Sequence, residues 1–89
     1  MTARILRLRP DGVHFREVEG EIVAVDVAGG EYVAINRSGS VLWAYLVEGA
    51  ELDQLADRLD EEFGIGGDRA RADVAAFVEA LDVRGLLEP

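Results

Sequence analysis

Apolar residues in this chain recur with a period of two in the first third and with a helical period afterwards. That switch predicts strands followed by helices. The clearest strand is Glu21 to Val27, with Val23, Val25 and Val27 on one side and Ile22, Ala24 and Asp26 on the other. Gly29-Gly30 suits a tight hairpin turn, and Glu31 to Ile35 is the returning strand. Its two faces, Tyr32 with Ala34 and Val33 with Ile35, are both mainly apolar, so a cover is expected over each. Upstream, Ala3 to Arg9 reads as a first strand with Ile5 or Leu6 and Leu8 turned inward. A Pro10-Asp11-Gly12 turn separates it from Val13 to Val18, which extends it or pairs with it. Glu19-Gly20 turns the chain again.

Asn36 is a suitable N-cap for a first helix, with Ser38 as the rival. This helix is expected to run to about Val47. Val41, Leu42, Tyr45 and Leu46 form its apolar face, Trp43 and Val47 lie beside it, and Glu48-Gly49 ends it. Leu52, Leu55, Ala56, Leu59 and Phe63 form the stripe of a second helix, which Gly64-Ile65-Gly66-Gly67 breaks. Asp68 is expected to cap a third helix reaching about Arg84, with Gly85 as the C′ residue. Val74, Phe77, Val78 and Leu81 make one stripe on it. Ala72, Ala75, Ala76 and Ala80 make a smaller second one, which implies two apolar neighbours. Leu86 and Leu87 tuck the tail back. The order is three or four strands, then three helices. The fold class is α+β: an N-terminal antiparallel sheet followed by a winged helix-turn-helix-like arrangement. Residues 1–89 form a single domain.

Composition narrows the function. A chain of 89 residues buries roughly 60% of its unfolded surface, enough for a modest core. There is no cysteine and no lysine; all nine basic residues are Arg. Disulfides, thiolate metal ligands, a Cys nucleophile and Schiff-base chemistry are thereby excluded. The net charge of −9 repels phosphate backbones and anionic lipid surfaces, so neither nucleic acid nor membrane is an expected partner. No apolar run approaches the ~18 residues of a membrane span, and MTARILRLRP lacks a signal-peptide apolar region. A cytoplasmic location is expected.

No constellation for catalysis emerges. His14 alternates with Val13 and Phe15 and falls on the outer side of a strand, without partners at metal-ligand spacing. Ser38 and Ser40 flank Gly39 without forming a nucleophile elbow, and are explained as helix-start serines. Gly64-Ile65-Gly66-Gly67 follows a helix and lacks Lys, so it is a turn and not a phosphate loop. Asp53, Asp57 and Asp60-Glu61-Glu62 lie on the wet face of the second helix. The helix-turn-helix order invites DNA reading. However, Asp68 and Asp73 offset Arg69 and Arg71, and the hairpin carries Glu19, Glu21, Asp26 and Glu31, so the basic footprint is missing. No metal or cofactor is expected.

The elements together resemble PqqD and the wider set of recognition elements for ribosomally made, post-translationally modified peptides. The resemblance rests on Val23 to Val27, Gly29-Gly30, Tyr32 to Ile35 with Asn36, Ser38 to Ser40, Leu42-Trp43, Leu52 to Phe63 with Gly64, and Leu81 through Gly85-Leu86-Leu87. It spans about residue 13 to the end, and order and spacing carry it more than any one element. It is most similar to the stand-alone leader-binding proteins of lasso peptide clusters; the pyrroloquinoline quinone type and other pathways of this kind are the alternative, and a small acidic DNA-binding regulator is a more distant one. The resemblance implies a non-catalytic protein that binds the leader of a precursor peptide as an added strand. The site it implies lies between the third strand (Glu31, Tyr32, Val33, Ala34, Ile35) and the third helix (Val74, Phe77, Val78, Leu81), with mid-strand Val33 as the expected pairing position. It also implies a transglutaminase-like leader peptidase and an asparagine-synthetase-like cyclase as partners, and a leader carrying a Tyr, a Pro and a Leu. The physics agrees: an open strand edge binds peptides through main-chain hydrogen bonds, and pockets beside it select side chains.

Overall fold

The computed structural model describes residues 4–89. Three strands, β1 (Val13–Val18), β2 (Glu21–Asp26) and β3 (Glu31–Ile35), precede three helices, α1 (Arg37–Glu48), α2 (Leu52–Phe63) and α3 (Gly67–Val83). The antiparallel sheet has the order β1-β2-β3, so β1 and β3 each keep one edge unpaired among the described residues. Among the described residues the sheet therefore has three strands and not four. The expected first strand fails because its hydrogen bonds are divided between separate partners. Leu6 exchanges bonds with Ala50 at 2.8 and 2.9 Å, the Leu8 N–H donates to Leu46 at 2.9 Å, and the Arg9 N–H donates to Leu86 at 2.9 Å. Leu6 and Leu8 are buried and Ile5 is exposed, while Ala3 lies outside the described residues. This segment ties the α1–α2 connection to the C-terminal tail.

The helices cover one face of the sheet only. Ile22 and Ala24 are buried beneath them, and Val23 points to solvent. In β3, Val33 and Ile35 turn toward the core, while Tyr32 is 77% exposed and Ala34 is also exposed. The expected cover over the Tyr32–Ala34 face is not present among the described residues. The β1–β2 turn sets both Glu19 (φ 52°) and Gly20 (φ 83°) in the left-handed region, which a two-residue hairpin requires. The β2–β3 connection is wider than a Gly-Gly turn. It runs from Val27 to Gly30, because Asp26 already pairs with Glu31.

Asn36 caps α1: its Oδ1 accepts from the Gly39 N–H at 2.9 Å, and the rival Ser38 donates its hydroxyl to that same Oδ1. The inward face of α1 is Gly39, Leu42, Trp43 and Leu46. Trp43 thus replaces Tyr45 at the centre. Tyr45 is on the surface, where its hydroxyl accepts from Arg58 Nε at 3.0 Å. In α2, Leu55, Ala56 and Leu59 are buried and Phe63 emerges at the end. α3 is capped at Gly66, not Asp68, which sits in its first turn where the helix dipole favours an acid. Its C-terminus closes with Gly85 at φ 73°, the Leu86 N–H donating to Leu81 at 3.0 Å and the Gly85 N–H to Asp82 at 2.9 Å. α2 packs on α3, and α1 lies over β2 and β3.

Candidate functional site

The open edge of β3 faces α3 across a cleft. Which peptide groups it offers follows from the ladder. The Val27 N–H donates to the Gly12 carbonyl at 2.8 Å, one step outside the Val13–Asp26 pair. That makes Val13–Asp26 a non-hydrogen-bonded pair, so Ile22, Ala24 and Asp26 turn their main-chain groups toward β3. Their partners are Ile35, Val33 and Glu31. The N–H and C=O groups of Tyr32 and Ala34 therefore point out of the open edge, and those of Val33 point into the sheet. Ser40 ends this ladder: its hydroxyl accepts from the Ile22 N–H at 3.0 Å and stands 3.2 Å from the Ile35 carbonyl.

The cleft encloses about 260 Å3 between Val33, Ala34, Ile35 and Asn36 on one side and Phe77, Ala80, Leu81 and Arg84 on the other. Its walls are mainly apolar. Phe77 is half-buried, and Leu81 is only 2% exposed. Beyond Asn36 and Phe77 it opens into a hollow of about 460 Å3, reaching Leu42, Leu59, Phe63, Ile65 and Ala76. Gly39 makes this junction possible. A Cβ there would stand 2.7 Å from Ile35 Cγ2 and 2.9 Å from Phe77 Cε1. At the other end, Arg84 Nη1 lies 3.6 Å from Glu31 Oε2.

The structure thus brings together Val33, Ala34, Ile35, Phe77 and Leu81 as cleft walls. Glu31 reaches its rim, and Tyr32 contributes its peptide group while its side chain lies on the outer face beside Val25 and His14. Val74, at 0% exposure, and Val78 face the core instead. Helical spacing explains the split: 74, 78 and 81 make the inward stripe, whereas 77, 80, 81 and 84 make the stripe facing β3. Reading residue types alone missed Ala76, Ala80, Phe63, Ile65 and Gly39. The second alanine stripe was the available signal for the first two. Among the described residues no group of three His, Cys, Asp or Glu could hold a metal ion, and no helix is long and apolar enough to cross a membrane. The arrangement sets main-chain donors and acceptors along one wall and apolar pockets along the other, the two features by which a sheet edge can take up an extended peptide.

Comparison with solved structures finds the same fold bound to peptides. TbiB1 in complex with the TbiA(beta) leader peptide matches with a TM-score of 0.84 and 26% identity, over 92% of this chain and 94% of that one. A lasso peptide synthetase B1 complexed with the leader peptide matches with a TM-score of 0.82 and 27% identity, over 94% of this chain and 98% of that one. Comparison with curated protein sequences gives no match. The family model of coenzyme PQQ synthesis protein D matches residues 21–87, and the chain belongs to this PqqD family.

Proposed function

We propose that this protein is a non-catalytic recognition element for a ribosomally synthesised precursor peptide. It captures the leader segment as an added β-strand along the open edge of β3, against Phe77 and Leu81 of α3. It then delivers the bound precursor to a leader peptidase and a cyclase of lasso peptide biosynthesis, in the cytoplasm. The observation that carries the reading is the juxtaposition of outward-facing Tyr32 and Ala34 peptide groups with the apolar cleft. Both structural relatives are leader-peptide complexes, which favours a lasso leader over the pyrroloquinoline quinone precursor.

The test is calorimetric titration with leader peptides of lasso precursors, the TbiA(beta) leader among them. Binding is expected, with protection of the Tyr32 and Ala34 amides from hydrogen exchange. Absence of binding, or protection confined to other elements, defeats the reading. Mixing peptidase and precursor with and without this protein tests delivery: cleavage should accelerate only when it is present.

A further inference from the structure

At the opposite edge of the sheet there is a second groove that the leader reading does not use. Because α1 lies over β2 and β3, the inner side of β1 is left partly uncovered. A hollow of about 350 Å3 results, floored by Phe15, Ile22, Trp43 and Val47. Phe15 is 46% exposed although its ring meets Trp43 edge-on at 5.4 Å. Val47 is 44% exposed. An aromatic and an aliphatic side chain are thus wet beside a tryptophan at 1% exposure.

The rim gives the groove a sign. Glu17 and Glu48 both line it, both are exposed, and neither carboxylate has an ion-pair or hydrogen-bond partner among the described residues. Arg7 reaches the Glu48 carbonyl and leaves its carboxylate free. Six of the nine arginines pair with carboxylates elsewhere, and none of the nine pairs with Glu17 or Glu48 among the described residues. The edge of β1, unpaired among the described residues, runs alongside.

We infer that the β1–α1 hollow docks an extended segment of a partner protein that turns aliphatic side chains and arginine or lysine to one and the same face, at every second residue, because Phe15 and Glu17 share the inner face of β1. The aliphatic side chains cover Phe15, Trp43 and Val47, and the cations meet Glu17 and Glu48. Charge complementarity selects this occupant over an acidic or neutral segment. Because β1 and β3 are opposite edges, leader and partner bind at the same time.

The probe is the peptide acetyl-Arg-Ser-Leu-Ser-Leu-Ser-Arg-amide, which when extended turns Arg, Leu, Leu and Arg to one face, followed by amide chemical shifts and by the fluorescence of Trp43, the only tryptophan. Shifts centred on Phe15, Trp43 and Val47 are expected. The double variant Glu17→Gln/Glu48→Gln should bind about tenfold more weakly, as expected for losing two exposed ion pairs. The acidic peptide acetyl-Glu-Ser-Leu-Ser-Leu-Ser-Glu-amide tests the same point on the unaltered protein and should leave these residues silent. The proposal is overturned if both peptides act alike, if the arginine peptide moves only residues of the β3–α3 cleft, or if it moves none. Concentration-dependent shifts of the same residues without peptide would assign the groove to a second copy and also overturn it.

Discussion

Arg84 Nη1 stands 3.6 Å from Glu31 Oε2, joining the C-cap of α3 to the first residue of β3 across the end of the cleft. Both side chains are well exposed, so the pair contributes little to stability despite its conspicuous position. Replacing Arg84 with Ala should lower stability by no more than ~0.5 kcal/mol in a denaturant titration. A larger loss would mean that the bridge holds the helix against the sheet.

Gly39→Ala opposes two effects. An exposed helix position would gain about 1 kcal/mol from Ala. Here the new methyl meets Ile35 Cγ2 at 2.7 Å and Phe77 Cε1 at 2.9 Å, and Ile35 is buried and cannot swing away. Overpacking costs about 1–3 kcal/mol, so a net loss of roughly 1 kcal/mol is expected. Leader affinity should fall further, because the Phe77 ring is pushed into the cleft. A melting curve paired with calorimetry checks both halves.

Phe77→Ala and Leu81→Ala should separate binding from folding. Leu81 is buried at 2% exposure, and truncating it should cost ~2–5 kcal/mol of stability. Phe77 is half-buried and lines both the cleft and the hollow beyond it. Its loss should weaken leader binding by about 1–3 kcal/mol with a smaller change in melting. If Phe77→Ala melts as early as Leu81→Ala and its folded fraction binds normally, Phe77 belongs to the core alone.

Proline substitutions test the assignment of the edge. Ala34→Pro removes a donor that points out of the open edge, while β2 keeps its ladder. It should reduce leader affinity about tenfold or more, the worth of a main-chain hydrogen bond plus the ring's bulk at the edge. Val33→Pro removes a donor from the bond with Ala24 and should instead lower stability. Circular dichroism melts and calorimetry on the two variants decide; the reverse pattern would show that the strand pairs in the other phase.

Much of this was legible in the residues. Alternation located β2 and β3, Asn36 marked the start of α1, and Gly85 marked the end of α3. Periodicity also found the third-helix stripe that carries Phe77 and Leu81. It could not divide that stripe between core and cleft, because Val74 and Phe77 are equally apolar and only the position of β3 distinguishes them. The N-terminal segment has strand-like alternation, yet it finds Ala50, Leu46 and Leu86 as partners in place of a sheet. Whether an extended segment joins a sheet is a long-range outcome that no local pattern encodes. The mid-strand position of Val33 suggested a pairing role, but the phase of the ladder, set by the hydrogen bond from Val27 to Gly12, turns its peptide groups into the sheet and those of Tyr32 and Ala34 out of the open edge.

The two unpaired sheet edges have a consequence for how the molecule keeps company with itself. An open edge is a template for any other strand, including the same strand of an identical molecule. Each copy carries a charge of −9, so copies approaching edge to edge repel before their main chains meet. Acidity thereby acts as a colloidal guard over the open edges, and added salt, which screens charge beyond ~10 Å at 0.1 M, weakens it.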